Sequence, residues 1–463
     1  MTTFYIEQFG CRATQADAAA IERQLRDRGF VAAGESACAD VVIVNTCTVT
    51  AAADAQARDA IRKLHARNPA AHVIATGCYA QRAPEELASL PGVSWVVGNS
   101  HKPEIPWLMD SIAKVAATAN ESAHGFVPAC ALGDEKLSLL HWPAKILTGN
   151  IFEQKALLAA PVIGGEGNHT RPVVKIQDGC NSRCAYCVIP FVRGRSRSLQ
   201  PAQVIEEIAR LTASGYREIV LSGINLGTYG RDLSPRVELI DLLQRILDET
   251  AVERLRISSI EPMDVTEDLI ALFASTERMA QHFHMPLQSG CDRVLAAMHR
   301  WYRAEHYARR VELIRERLQH AAIGADVIAG FPGETDAEHA ETVAFIERLP
   351  FSYLHVFSFS RRPGTQAAEL PDHVPAPIVK SRARQLRALG EQKTQEFRRS
   401  QLGRLSRVLT LRQSERSADT TPAISSNYVQ LEVRGKIPAN EWVNVLISER
   451  ENKIVGEIEN RTL

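Results

Sequence analysis

Three cysteines spaced C-x3-C-x2-C, at Cys180, Cys184 and Cys187, constrain this chain more than any other feature, because they oblige the fold to present three thiols on one short loop. Thiolates are soft donors that suit iron–sulfur clusters, and a cluster held by only three of them keeps one iron open to a small molecule. A structural zinc site is the competing reading. Zinc, however, takes four ligands in paired C-x2-C or His-x3-His form, and no fourth Cys or His lies nearby in the sequence. The spacing therefore points to a catalytic cluster.

With Tyr186 just before the last cysteine, the run resembles the signature of radical S-adenosylmethionine (SAM) enzymes. The resemblance implies that the open iron holds the amino and carboxylate groups of SAM. It also implies that one electron from the cluster cleaves SAM to a 5′-deoxyadenosyl radical, which abstracts hydrogen from carbons no acid or base could deprotonate. The cofactor carries the hard chemistry and the protein supplies position.

At 463 residues and 45% hydrophobic composition, the chain can bury large cores and is expected to form two or three domains. No basic region followed by an apolar stretch opens the sequence, and no run reaches the roughly 18 apolar residues of a membrane span, so a cytoplasmic protein is expected. Nine scattered cysteines read as reduced thiols rather than a disulfide framework. A formal net charge of +0 predicts no globally basic surface, so nucleic-acid contacts have to come from local patches.

From its start the sequence alternates short apolar strands with helical stretches. Phe4–Gln8, Val41–Asn45, His72–Thr76 and Val93–Val97 read as strands, with helices over 15–28 and 51–67, which predicts an α/β domain with a parallel sheet. Cys11, Cys47 and Cys78 each follow a strand directly, with gaps of 36 and 31 residues, about one βαβ unit each. Loops after successive parallel strands lie along one carboxyl edge, so the three cysteines are expected to converge on a second cluster with one open iron. The alternative is three ordinary buried thiols, since free cysteine is among the most buried residue types. Cys38, Cys130 and Cys291 show no comparable placement and read as structural.

A three-cysteine α/β domain followed by a C-x3-C-x2-C domain resembles the methylthiotransferases, radical SAM enzymes that replace C–H by C–S–CH3. The resemblance spans nearly the whole chain and includes Asn45-Thr46-Cys47-Thr48-Val49, Gly77-Cys78-Tyr79-Ala80-Gln81, Lys175-Ile176-Gln177-Asp178-Gly179-Cys180 and Pro190-Phe191-Val192-Arg193-Gly194-Arg195. Within the family it is most similar to the branch that acts on N6-threonylcarbamoyladenosine at position 37 of tRNA. The Lys-Ile-Gln-Asp-Gly-Cys lead-in and Ser196, where the isopentenyladenosine branch tends to carry Glu, favour that branch. One departure is Arg12-Ala13-Thr14-Gln15, where the family usually shows Asn before Gln. The resemblance implies two [4Fe-4S] clusters and two uses of SAM: one methylates a sulfur held at the Cys11, Cys47 and Cys78 cluster, the other yields the radical that attacks adenine C2. Its implied partners are tRNA at the anticodon stem-loop and an electron donor such as flavodoxin or ferredoxin. Rival readings are the same chemistry on isopentenyladenosine tRNA or a ribosomal-protein aspartate, and a non-enzymatic zinc- and RNA-binding module.

A second alternation places strands at Val173–Gln177, Glu218–Ser222, Leu255–Ser259, His282–Leu287, Ala325–Ala329 and Leu354–Phe359. Six βα units predict a partial parallel barrel with its chemistry at the carboxyl ends of the strands, where the three-cysteine loop, Ser222-Gly223-Ile224-Asn225, Glu261, Gln288 and Gly330 fall. By resemblance Ser222, Gly223 and Asn225 hold SAM and Glu261 bonds its ribose hydroxyls. Their plain alternatives are a strand-to-helix turn and a solvated loop acid. The segment Gly330-Phe331-Pro332-Gly333-Glu334-Thr335 resembles one near the adenine of SAM, and His284 reads as a satisfied histidine without a catalytic task.

Arg193, Arg195 and Arg197 alternate after the cluster loop, as suits phosphate contacts from an extended segment. From Lys380 to Arg404 eight basic and two acidic residues mark an RNA-backbone helix or a solvated basic one. Alternating strands at Ser406–Leu411, Tyr428–Val433, Trp442–Ile447 and Lys453–Ile458 then predict a small β-barrel, with 413–421 as a loop. Ser426-Asn427-Tyr428-Val429 resembles the RNA-binding TRAM domain. The expected plan is α/β throughout its first two parts: a methylthiotransferase N-terminal domain (1–113), a linker (114–165), a radical SAM core (166–398) and a TRAM-like barrel (399–463).

Overall fold

The computed structural model describes residues 2–121, 144–155, 157–158, 160, 170–412 and 419–458. Cys130, the Gly164–Gly167 run and most of the predicted linker lie outside them. Two compact units divide the chain. One comprises residues 1–160 with 178–182 and 187–195; the other comprises the remainder.

The first unit is built on a parallel sheet of β1 (Thr3–Gln8), β2 (Val31–Ala32), β3 (Val41–Thr46), β4 (His72–Gly77), β5 (Val93–Gly98) and β6 (Lys145–Leu147), ordered β2-β1-β3-β4-β5-β6. All six residues of β3 are buried, as a central strand covered on both faces requires. Alternation along it explains the two cores. Val41 and Ile43 pack with Ile21 and Leu25 of the helix Arg12–Asp27 and with Ile105, Leu108 and Met109. Val42 and Val44 pack with Ala57, Ile61 and Leu64 of the helix Ala51–Arg67, whose first turn is capped by Thr50 Oγ1 accepting from Ala53 N at 3.2 Å. The four predicted strands are present to within a residue. The two edge strands β2 and β6 were not foreseen, and β6 falls inside the predicted linker, where three residues pairing with Trp95–Val97 are too few to show a period.

In the second unit six parallel strands follow: β7 (Val173–Asp178), β9 (Glu218–Gly223), β10 (Arg254–Ile257), β11 (His282–His284), β12 (Ala322–Ala329) and β13 (Tyr353–Ser358), with the two-residue β8 (Arg197–Ser198) beside β7. Ladders join β7, β9 and β10, and β11, β12 and β13; the bridges Leu255↔Met279 and Ser259↔His284 close the gap between the two sets. This is the expected partial (β/α)6 barrel. Ile176, Leu221, Ile257, Phe283, Ala325 and Val327 face the outer helices in one large core. Their neighbours Lys175, Gln177, Ser222, Arg256, Ser258, His282, His284 and Asp326 therefore line the opposite, inner face.

Five further strands, β14 (Leu405–Thr410), β15 (Thr420–Ser425), β16 (Gln430–Arg434), β17 (Trp442–Arg450) and β18 (Lys453–Ile458), close into a barrel in the order β14-β15-β16-β18-β17. β15 was not predicted: Thr420 and Thr421 were assigned to a loop whose residues 413–418 lie outside the described ones. This barrel covers the amino ends of β9 and β10. Arg254 Nη2 and Arg256 Nη2 each donate at 3.1 Å to the carbonyls of Ile424 and Ser425, and the Arg254 guanidinium lies 4.5 Å from the Trp442 ring. Both arginines converge on Glu218, fully buried and also bonded by Arg171 at 3.1 Å. Burial favours the neutral acid there, but Arg256, Arg254 and Arg171 outweigh it and hold the carboxyl well below its usual range.

Candidate functional site: a carboxyl-edge thiol set and a barrel mouth

In the first unit Cys11, Cys47 and Cys78 follow β1, β3 and β4, which are neighbours in the sheet with Gln8 opposite Asn45 and Thr46 opposite Gly77. The register therefore delivers all three thiols to one edge. Gly10 permits this approach: its φ is +100°, and a Cβ there would lie 2.5 Å from Cys47 Cβ and 2.9 Å from its sulfur. Burial first, and then the neighbouring Cys78 and Cys11 sulfurs, push the Cys47 thiol up to about 12. A positive charge beside Cys47 would favour its thiolate.

Around this edge lies a buried charge network. Arg193 donates to Asp178 at 2.9 and 3.1 Å and to Asp17 at 3.0 Å, and Lys102 donates to Asp17 at 2.8 Å. Burial lowers Lys102 against the pull of Asp17. Burial opposes the charge of Arg193 too, but Asp17 and Asp178, followed by Cys78 and Cys11, overcome it and raise that group. Arg193 is thus corrected: it is 2% exposed and spends its fork on two carboxylates, so it has no face for a phosphate. Arg195 is exposed and Arg197 half-buried on β8.

The C-x3-C-x2-C loop follows β7, with its three cysteines partly exposed. Within the second unit Arg300 Nη1 donates to Cys184 Sγ at 3.4 Å and to Glu261 Oε1 at 3.2 Å, and Arg300 Nη2 bonds Glu261 Oε2. Burial raises the Glu261 carboxyl, and Arg300 opposes that rise. At the end of β9, Ser222 and Asn225 are buried, and Gln177 Oε1 accepts from Asn225 N at 2.9 Å while its Nε2 donates to Ser196 Oγ at 2.9 Å. One carboxamide on β7 therefore fixes the turn after β9.

Residues 3–98 match an uncharacterized protein family, UPF0004, and residues 174–346 match the radical SAM superfamily. Threonylcarbamoyladenosine tRNA methylthiotransferase MtaB of Aquifex aeolicus is 35% identical over 442 residues, 95% of this chain and 99% of that protein. Its Bacillus subtilis namesake is 34% identical, covering 86% of this chain and 82% of that one. A tRNA-2-methylthio-N(6)-dimethylallyladenosine synthase of Streptomyces viridosporus is 32% identical, covering 97% and 83%. The chain belongs to the radical SAM methylthiotransferases. Among solved structures, the radical SAM methyltransferase TsrM of Kitasatospora setae, with cobalamin and a [4Fe-4S] cluster bound, shares the fold at a TM-score of 0.53 and 16% identity, covering 79% of this chain and 77% of that one.

A methylthiotransferase of this family uses SAM and two [4Fe-4S] clusters, and the residues present fit them. Both thiol sets are soft three-donor sets, and the edge set has a glycine cradle and two buried cations opposite its charge. Cys291 is buried in a small apolar cluster and Cys38 lies exposed in a short 3-10 turn. Among the described residues no helix is long and apolar enough to cross a membrane.

Sequence reasoning missed Arg300, Gln177, Lys102 and Asn99 as site residues. Asn99 was findable: it follows β5 as Cys78 follows β4, and it donates to Cys78 Sγ at 3.5 Å and to Val192 O at 2.7 Å. The basic helix is Ala376–Arg399 and is only partly a surface: Arg382 bonds Glu334 and Asp336, and Lys393 donates to the carbonyls of Glu347 and Leu349.

Proposed function

We propose that this methylthiotransferase acts on C2 of N6-threonylcarbamoyladenosine at position 37 of tRNA, with one cluster on Cys180, Cys184 and Cys187 and the other on Cys11, Cys47 and Cys78. The observation that carries the two-cluster reading is the convergence of three thiols at successive strand ends, backed by buried Arg193 and Lys102. The substrate reading is supported by the two relatives named for that nucleoside, 35% and 34% identical to this chain, beside 32% for the Streptomyces viridosporus dimethylallyladenosine synthase.

When bound, the loop cluster with SAM supplies the radical that removes hydrogen from C2, and the edge cluster supplies the sulfur. The chain's own residues do the rest. Cys180, Cys184 and Cys187 would hold a cluster through three thiolates, and the Arg300 N–H on the Cys184 sulfur would tune that ligand, since hydrogen bonds to cluster sulfurs shift their potential. Glu261, oriented by Arg300, accepts the ribose hydroxyls of SAM. Ser222, Gly223 and Asn225, held by Gln177, bring backbone and side-chain groups to the same ligand. Arg193 and Lys102 offset the negative charge of the edge thiolates; Cys47 and Cys78 are buried, while Cys11 is exposed and leaves the set open on its side. Arg195 and Arg197, with exposed Lys380, Arg384, Arg387, Arg398 and Arg399, contact phosphates of the anticodon stem-loop. An electron donor of the flavodoxin or ferredoxin kind would supply the electron.

The test is anaerobic reconstitution, incubation with SAM, dithionite and tRNA carrying threonylcarbamoyladenosine, and mass spectrometry of the digested nucleosides. A mass gain of one sulfur plus CH2 on that nucleoside supports reaction and substrate together. 5′-Deoxyadenosine without a modified nucleoside refutes the substrate, and neither product from a zinc-containing protein refutes the enzyme.

A further inference from the structure

The inner wall of the second unit's barrel carries a linked row of polar rings beside the mouth. His282 Nε2 and His284 Nδ1 lie 2.7 and 3.0 Å from Tyr353 Oη; His284 Nε2 and His355 Nδ1 lie 2.9 and 3.2 Å from Asp326 Oδ1. Register puts these residues side by side, Gly324 opposite His284 and Tyr353, and Asp326 opposite His355. Gly324 is what lets the Tyr353 ring lie across the wall: a Cβ there would fall 2.1 Å from Tyr353 Cζ. The bridge Ser259↔His284 sets His284 level with the end of β10, and Glu261 stands two residues further on, about 7 Å along the strand direction. The row is therefore one layer below Glu261 and Arg300. None of it has a task in the cluster or SAM chemistry above.

Proton bookkeeping fixes what the row offers. An ionised carboxylate only accepts, so His284 carries a proton on Nε2 and His355 one on Nδ1. Tyr353 Oη lies between His282 Nε2 and His284 Nδ1, so its hydroxyl is shared within the row. What remains toward the lumen is acceptors: Asp326 Oδ2 and His355 Nε2, on side chains 23% and 57% exposed, neither with a hydrogen-bond partner among the described residues. His284 and His355 also present ring faces, with centroids 5.0 Å apart.

We infer that the His284–Asp326–His355 panel accepts hydrogen bonds from the arm on N6 of the substrate nucleoside, and so selects an arm rich in N–H and O–H donors over a hydrocarbon one. This rests on the reading of the chain as a tRNA methylthiotransferase and names the residues that set its substrate class. A ureido and hydroxyl-bearing arm, as in threonylcarbamoyladenosine, supplies N–H and O–H donors to both acceptors, with its own carboxylate directed away from Asp326, since like charges repel. An isopentenyl arm would cover Asp326 and His355 and leave them without partners, and sites built to hydrogen-bond discriminate strongly against analogues that lack the group.

His355→Phe keeps the ring and removes the acceptor at an exposed position, and Asp326→Asn alters the second one. The reconstituted full chain is assayed on tRNA with a threonylcarbamoyl arm and on tRNA with an isopentenyl arm. Three further readouts are RNA-independent formation of 5′-deoxyadenosine, iron content, and the split between kcat and KM. The expected result for His355→Phe is a fall of at least about tenfold in kcat/KM on the threonylcarbamoyl tRNA, carried mainly by KM. Preference over the isopentenyl tRNA should narrow, with SAM cleavage and iron unchanged. A preference ratio within twofold of wild type overturns the inference while leaving the proposed function standing. Wild-type activity on the isopentenyl tRNA alone, or on neither, overturns both.

Discussion

Arg193 separates two accounts of the same residue. As an RNA contact it should be dispensable for folding; as a buried ion it should be indispensable. Arg193→Met would take the Arg193 guanidinium from Asp178, whose side chain is 8% exposed, while Asp17 keeps Lys102 at 2.8 Å. Removing one partner of a buried ion pair costs about 3–5 kcal/mol. For a unit of this size that is a fall of roughly 6–20 °C in its unfolding temperature. Arg193→Lys keeps the charge but cannot serve two carboxylates with one fork, and should cost about 1–2 kcal/mol. Exposed Arg195→Ala should alter stability by no more than about 0.5 kcal/mol. If Arg195 meets a phosphate, its loss lowers the slope of log affinity against log salt by about 0.7–0.9. The assay is anaerobic calorimetry of the three variants, with tRNA binding across a salt series at a temperature where all are folded. The reasoning is refuted if Arg193→Met melts with the wild type and loses salt slope as Arg195→Ala does.

Gly10→Ala should prevent assembly of the edge cluster, because the added methyl meets the Cys47 side chain at 2.5 Å on a backbone with φ of +100°; about four fewer irons per chain by colorimetric assay, with SAM cleavage retained, is the expected reading. Glu218→Gln strands three guanidinium groups and should destabilise the second unit by about 3–5 kcal/mol, checked by denaturant unfolding. The Glu218 carboxyl is held below its usual range, so its contribution is fully present above roughly pH 4.3 and is lost only as pH falls through the lower folded value; a wild-type stability profile in which the Glu218→Gln difference vanishes already above pH 5 would contradict this. Arg300→Met should weaken SAM binding and shift the potential of the loop cluster, read by titration calorimetry and by electron paramagnetic resonance during redox titration, while Cys11, Cys47 and Cys78 retain their iron.

Period was the part of this fold that the sequence carried. Strands such as Val41–Thr46 and Glu218–Gly223 stood out because continuous apolar runs bounded by turn residues have few other uses in an α/β chain, and the three strand-end cysteines followed from counting βαβ lengths. Elements whose definition is a partner rather than a pattern were lost. β6 is three residues long and exists because Trp95–Val97 offers it an edge; β15 begins in Thr-Thr-Pro, a composition that reads as loop until Arg434 and Val433 lie beside it. The inner wall of the barrel was lost for the same reason. His284 alone is one histidine on a short strand, and only the parallel register with β12 and β13 brings Asp326 to it from 42 residues away and His355 to Asp326 from 29.

Arginine shows where local reading fails. In a chain of net charge +0, a run such as Arg-Gly-Arg-Ser-Arg invites a nucleic-acid reading, since alternate positions of an extended segment share a face. Yet Arg193, Arg254, Arg256 and Arg382 are all buried, and each is bonded to a carboxylate, to backbone carbonyls, or to both. A guanidinium is stable inside when its planar fork meets acceptors that are themselves fixed, and those acceptors come from distant sequence: Asp17 is 176 residues from Arg193, and Ser425 is 169 from Arg256. Sequence spacing reports which way a side chain leaves its own strand, but not whether a carboxylate is waiting there. On the proposed reading, the charge left to meet RNA is what remains after the interior acids have taken their partners: Arg195, Arg197 and the outward side of the helix Ala376–Arg399.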